Sequence, residues 1–385
     1  AYDEYSDMDD YHLGEALFLR AYNFYLLWNT YGTAPLSASR IKTLADADLP
    51  NSKDTELLDQ AILDLREASS LLPPSWDSAN LGRVTSNSAN GLLAKILVFR
   101  GTVNNTPADF TEAIIAVDRM SGVSLTDHFN DNFVLTGENG QESLFEYQAN
   151  NQALITNPWV PGGVDDFSVI GELDAFWGFY NNMGSNGANQ AFQATASLIG
   201  SYEVGDPRIQ YTLNPTASPH NMIKFTYNWW GNGNGVSNAN WAGMSINNPR
   251  ILRYADVLLI KAEAIVRSGG DADAAIGIVN QIRKRAREST NDGSVATIPA
   301  DFALGQNSTA VLEHVFNERR LELAGEEGHR WYDLRRRHLA GEIDLSTWDF
   351  SSVRSDFSFE AHHINFPLPG SEVIQNPNMD QNKDY

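Results

Sequence analysis

The sequence predicts a mostly α-helical protein, a tetratricopeptide-like scaffold of about eight paired helices that carries one large, irregular, loop-rich insertion with short strands. Three observations predict it. Apolar residues recur at helical spacing before residue 126 and again after residue 249. Between them, residues 126–249 are rich in Asn, Gly, Pro and aromatics and hold only short apolar runs. The stretch from Arg253 to Arg336 opens on RYADVLLIKAEAIVRSGG and closes on ERRLELAGEEGHRWYDLRR, two amphipathic and heavily charged helical segments.

The elements follow in order. Leu13, Leu17, Ala21, Phe24 and Trp28 form one stripe on a helix from Asp9 to Tyr31. A second helix from Asp54 to Leu71 is stopped by Pro73 and Pro74. A third covers Ser86 to Arg100, with Gly101 as its expected C-cap. A fourth covers Pro107 to Met120, with proline in the favoured first turn. In the insertion, LFEYQ and MIKFTYNW read as short strands. Helices return at Ile251–Ser268, Asp271–Arg287, Thr309–Ala324 and His329–His338. Four regions result: a helical half over 1–125, the insertion over 126–249, a second helical half over 250–338, and a tail over 339–385 that packs on the scaffold as part of one unit.

Composition removes several function classes. The chain of 385 residues has no cysteine, which excludes disulfides, a thiol nucleophile and thiolate metal sites. With 27 basic against 49 acidic residues the net charge is −22, so neither nucleic acid nor an anionic lipid surface is an expected partner. No apolar run approaches the length of a spanning helix. EEGHR is not the HExxH zinc pattern, and the His362–His363 pair reads as packed or solvated. The cluster Asp3, Glu4, Asp7, Asp9 and Asp10 lacks the spacing of a dedicated calcium loop and reads as a charged chain end. No cofactor is expected, a structural calcium ion being the single one the sequence leaves open. The sequons at Asn104 and Asn307 read as incidental.

Seven segments, in order, resemble one known family. EALFLRAYNFYLLWNTYGTAPL carries Leu19, Arg20, Ala21, Gly32 and Pro35 of its N-terminal signature. GRVTSNSANGLLAKILVFRG resembles the next helix, with Asn87 and Ser88 where Lys and Ala are usual. A turn follows at Asp206, Pro207 and Arg208, then RYADVLLIKAEA with Arg253 and Glu263, and VNQIRKRA with Asn280 and Arg283. ERRLELAGEEGHRWYDLRR supplies Glu318, Arg319, Glu322, Arg330, Asp333 and Arg335, and NPNMDQN supplies Asn376, Asn378 and Asn382. This is similar to the SusD/RagB family, outer-membrane lipoproteins of Bacteroidetes that capture glycans for a TonB-dependent porin. The resemblance implies a cell-surface, lipid-anchored glycan-binding protein that is not an enzyme, with an oligo- or polysaccharide ligand and a SusC-like porin partner. It also implies that the signal, the lipid-bearing cysteine and an N-terminal piece lie outside this chain. The charged marker residues sit at spacings that pair them within and between helices, so they are expected to dock helices and not to bind ligand.

Sugar rings present C–H faces to Trp and Tyr and hydroxyls to Asn, Gln, Asp and Arg. The 126–249 block has that mixture, with 19 asparagines and five of the nine tryptophans. Trp159, Trp177, Tyr180, Trp229, Trp230 and Trp241 are the ligand candidates there, with Trp76 in the loop PPSWDSAN as a further one. Trp229 and Trp230 run into GNGNGVSNAN, which offers little to bury two large rings, whereas Trp177 in LDAFWGFY also suits a packed helix. Trp28 and Trp331 lie on apolar helix faces and read as core. The block holds 11 acidic and two basic residues, which favours a neutral glycan over an anionic one. Two alternatives stand beside glycan capture: a glycoside hydrolase, for which no carboxylate pair is singled out, and a helical-repeat adaptor that binds peptide or protein.

Overall fold

The structure, a computed structural model, describes residues 10–43, 46–148, 194–213, 222–224, 247–351 and 354–385. In chain order its elements are α1 (Asp10–Tyr31), α2 (Glu56–Leu71), α3 (Ser86–Asn104), α4 (Pro107–Asp118), β1 (Ser143–Glu146), α5 (Ala196–Ile199), α6 (Ile209–Thr212), β2 (Arg250–Arg253), α7 (Tyr254–Arg267), α8 (Ala272–Glu288), α9 (Ser308–Glu322), α10 (His329–Leu339) and α11 (Gly370–Gln375). The fold is mostly helical, and the eight long helices among the described residues are those the periodicity predicts. No helix among the described residues is long and apolar enough to cross a membrane. The chain divides into two compact units, one made of Ala1–Ser121, Glu263–Gly270 and Trp331–Tyr385, the other of Gly122–Ala262 and Asp271–Arg330.

In the first unit α1 packs on α2, α2 on α3 and α3 on α4. The predicted α1 stripe is buried at Leu17, Ala21, Phe24 and Trp28, while Leu13 is half-buried at its edge. The Trp28 indole N–H donates to the Asp54 carbonyl at 3.0 Å, which fixes the loop before α2. α3 is buried on every face from Asn87 to Phe99, so it shows little amphipathic contrast. A reciprocal cap starts it: the Ser88 amide donates to Thr85 Oγ1 and the Thr85 amide to Ser88 Oγ.

The expected stop at Gly101 is wrong. α3 continues to Asn104, and Asn105 is the left-handed cap at φ 51°. Gly101 is needed for close approach instead, because a Cβ there would meet Asp109 Cβ at 3.0 Å and the Phe110 ring at 3.1 Å. Trp331, expected in the core, is half-buried and packs against Phe359 at 6.5 Å between ring centroids.

Tail residues are stitched to the loop after α1 by asparagine side chains. Asn376 Nδ2 donates to the Leu49 carbonyl at 2.7 Å, Asn378 Nδ2 to Asp48 at 2.6 Å, and Asn382 Nδ2 to Tyr31 at 2.8 Å. Gly32 turns at φ +74° directly beneath the Asn365 amide, 2.6 Å from where a Cβ would stand. His362 and His363 are packed: His362 meets Tyr385 edge-on at 5.1 Å and His363 lies 5.0 Å from Phe357.

In the second unit β1 and β2 pair antiparallel, with Ser143 opposite Arg253. Ile251 was expected to open a helix; it lies in β2 instead, and the helix starts at Tyr254. α8 packs on α9 and buries Ala275, Ile276, Val279, Ile282 and Ala286. Asn307, one of the two sequon asparagines, is the N-cap of α9 and accepts the Ala310 amide at 3.0 Å.

Candidate functional site

The marker charges converge inside the second unit. Arg253, at the end of β2, meets Glu142, Glu322 and Glu326, with its Nε 2.7 Å from Glu326 Oε2. Arg285 on α8 reaches Glu322 at 2.5 Å and Glu142 at 3.0 Å. Arg208, from the Asp-Pro-Arg turn, holds Asp206 at 2.7 Å and Glu318 at 2.5 Å and touches Glu322 at 3.2 Å. Lys224 donates to Glu326 at 2.6 Å and to the Glu322 carbonyl at 2.7 Å. Arg319 ties α9 to α7 through Asp256 Oδ1 at 2.6 Å. Glu322 and Arg208 are both 0% exposed, so no ligand in water meets this network.

Burial pushes the Glu322 carboxyl up, but Arg285, Arg253, Arg208 and Lys224 outweigh it and hold it at about 2. The same contest lowers Glu142 and Glu326, with Arg285 and Arg253 opposing burial for Glu142, and Arg253 and Lys224 for Glu326. Burial also lowers the Lys224 ammonium to about 8 against the pull of Glu326.

A pH dependence follows. A carboxylate depressed in the folded state stabilises fully above its unfolded value and loses that stabilisation as pH falls through the folded one. Stability should therefore begin to fall near pH 4.5 and continue falling towards pH 2. Urea titrations followed by tryptophan fluorescence at stepped pH check this; a midpoint unchanged from pH 5 to pH 3 would contradict it.

A second buried cluster lies in the first unit. Glu263 accepts both Arg336 terminal nitrogens, at 2.5 and 2.7 Å, and Arg267 Nε at 2.7 Å. Arg336 also holds Asp333 at 2.8 Å. Arg335 departs from the expected pairing. Its Nη2 donates to Asn365 Oδ1 at 2.5 Å and its Nε to the Ile364 carbonyl at 3.1 Å, and it lies 4.3 Å over the Trp28 ring. No carboxylate among the described residues pairs with it, because Arg336, one step along the helix, takes both Glu263 and Asp333.

Trp76 is half-buried in the loop before α3. Its indole N–H donates to the Val84 carbonyl at 2.8 Å, Arg83 lies 4.0 Å over the ring, and Tyr11 meets it edge-on at 5.3 Å. Arg83 is itself fixed by Glu15, with Nε at 2.6 Å. Trp159, Trp177, Tyr180, Trp229, Trp230 and Trp241 lie outside the described residues, as do Asp3, Glu4, Asp7 and Asp9. Among the described residues no group of three or more His, Asp and Glu side chains is placed to hold a metal ion. Sequence reasoning missed Glu142, Lys224 and Glu326 as network members; the EEGH string held Glu326 in plain view, whereas nothing local marks Glu142.

This scaffold is shared with known proteins. A family model described as the SusD family matches residues 179–385, and one described as starch-binding and associating with the outer membrane matches residues 3–98. The chain belongs to the SusD family, whose members are carbohydrate-binding proteins of the outer membrane. It is 28% identical over 413 residues to a SusD-like protein of Formosa agariphila, covering 98% of this chain and 74% of that one. Against the starch-binding protein SusD of Bacteroides thetaiotaomicron the identity is 24% over 309 residues, covering 73% and 51% of the two chains. Among solved structures, a SusD superfamily protein of Parabacteroides distasonis aligns with a TM-score of 0.73 at 22% identity, covering 100% of this chain and 81% of that one. A laminarin-binding SusD-like protein aligns at 0.69 and 22%, covering 97% and 78%.

Proposed function

We propose that this chain is a non-catalytic glycan-capture protein of the outer-membrane surface that binds a neutral oligo- or polysaccharide and passes it to a SusC-like TonB-dependent porin. The observation that carries this reading is the inward placement of the marker charges. Charged residues that identify the family, among them Arg208, Arg253, Glu263, Glu318, Arg319, Glu322 and Asp333, are used up in buried ion pairs, which leaves ligand contact to other side chains. The block over 126–249 supplies them in the right chemistry: rings to stack on sugar faces and amides for hydroxyls. Trp159, Trp229, Trp230 and Trp241 are the proposed stacking residues, with Trp177 and Tyr180 beside them. Trp76 can offer a sugar only what Arg83 and Tyr11 leave uncovered. No cofactor is needed for stacking and hydrogen bonding.

Affinity electrophoresis and calorimetry against glucan, mannan and xylan test the reading. Trp229→Ala/Trp230→Ala should weaken the best ligand at least about tenfold, or roughly 1.4 kcal/mol. Binding unchanged in that variant and in Trp159→Ala and Trp241→Ala would sink the proposed site. Sustained release of reducing sugar would point to a hydrolase, and capture of peptides in place of glycans to an adaptor.

A further inference from the structure

Trp348 differs from the other described tryptophans. It is 39% exposed, and its indole N–H has no acceptor among the described residues. Trp28 and Trp76 donate theirs to backbone carbonyls, and Trp331, half-buried, packs on Phe359. An exposed ring with an unused donor is the part of a tryptophan that a ligand can take.

The ring is nevertheless held in place. Trp348 has extended backbone, φ −83° and ψ 142°, which puts Phe350, two residues on, on the same side. Phe350 lies nearly parallel to it, with 26° between the planes and 6.4 Å between centroids. Phe357 meets Phe350 edge-on at 5.5 Å, and the Arg354 amide donates to the Phe350 carbonyl at 3.0 Å. Both flanks are tied to His338. The amide of buried Leu345 donates to His338 Nδ1 at 3.3 Å, and buried Phe359 meets the His338 ring edge-on at 5.4 Å. A run of rings thus leads from Phe359 through His363, Phe357 and Phe350 out to Trp348. Such bracing lowers the ordering cost of using the exposed ring for binding.

We infer that Trp348, braced by Phe350, is a second sugar platform that stacks one neutral pyranose unit and donates its indole N–H to a hydroxyl of that sugar. The surroundings decide between ligand classes. A protein face needs a contiguous apolar patch, whereas the exposed sequence neighbours here are Ser346, Thr347, Asp349, Ser351, Arg354 and Asp356. An anion would meet Asp344, Asp349, Asp356 and Glu360, and Arg354 is already held by Asp356 at 2.8 Å. A neutral sugar sets a C–H face on the ring and hydroxyls towards the N–H and the surrounding oxygens. The inference rests on the glycan-binding reading for the ligand being a sugar. It adds a contact in the C-terminal tail, outside the 126–249 block.

The test is nuclear magnetic resonance titration of the full, 15N-labelled chain with oligosaccharides of glucan, mannan and xylan. The Trp348 indole resonance is assigned by its loss in Trp348→Phe, and the Ser351 amide serves as a reporter that survives substitution of the tryptophan. With at least one of the three sugars both signals should move saturably, and they should do so equally in Trp229→Ala/Trp230→Ala. In Trp348→Ala, an exposed position whose folding circular dichroism verifies, the Ser351 amide should report binding weakened about threefold or more. A Trp348 indole that stays still with all three sugars, or a Ser351 amide that titrates as well in Trp348→Ala as in wild type, would overturn the inference. The two readings fail in different places. Wild-type calorimetric binding beside a still Trp348 sinks only this platform, and a Trp348 that titrates in a chain whose affinity is indifferent to the tryptophan-block substitutions sinks only the block.

Discussion

Glu322→Gln is expected to lower the unfolding free energy by about 4 kcal/mol, the scale seen when one member of a buried charge network is removed. Its carboxylate is shared by Arg208, Arg253 and Arg285, and its backbone carbonyl accepts Lys224. An amide fills the same volume but brings no charge, and its NH2 would face guanidinium donors. Four buried cations would then share one carboxylate fewer. Urea unfolding at pH 7 measures the effect, with Glu372→Gln on exposed α11 as a control expected to change stability by less than about 0.5 kcal/mol. A loss below about 1 kcal/mol at position 322 would mean that the network relaxes around the gap, and the claim that it locks the unit would fail.

Glu263→Gln is expected to cost about 3 kcal/mol. Arg336 is 0% exposed and sits 4.6 Å over the Phe99 ring, so it cannot turn to water when its main partner is neutralised. Asp333 remains at 2.8 Å, which is why the loss should be smaller than at Glu322. Scanning calorimetry of Glu263→Gln beside Arg336→Met separates two accounts. If the loss comes from a stranded cation, removing the cation as well should restore part of the stability in the double variant. A double variant no better than the Glu263→Gln single would show that packing, and not charge, is what Glu263 supplies.

Much of the fold was legible because helices announce themselves by period. The α1 stripe and the charged pair α7 and α10 could both be read from spacing. Two boundaries were misread for different physical reasons. At Gly101 the residue type was right for a cap, but the glycine serves the approach of Asp109 and Phe110, a tertiary demand no local pattern states. At Ile251 a short apolar run fits strand and helix equally, and pairing with β1 decides it.

The charged signature was readable as structural in kind but not in detail. Spacing shows that Arg335, Arg336 and Arg337 lie on a helix; it cannot show which of them receives Glu263. The exception is Arg335, which takes Asn365 and the Ile364 carbonyl in place of a carboxylate. The aromatic candidates rest on composition, because their residues lie outside the described part of the chain, and Trp76 alone could be followed to its neighbours.

The asparagine stitching of the tail has a consequence for how the first unit is made. Asn382 donates to Tyr31 across 351 positions of sequence, and Asn376 to Leu49 across 327. A chain emerging from the ribosome N-terminus first therefore has α1 to α4 long before it has their final strap. Until residues 365–382 arrive, the carbonyls after α1 lack these donors and Gly32 lacks the amide that covers it. Completion of this unit is thus coupled to the synthesis of residues 365–382, and a chain cut before them would be distinguishable by an open turn after α1.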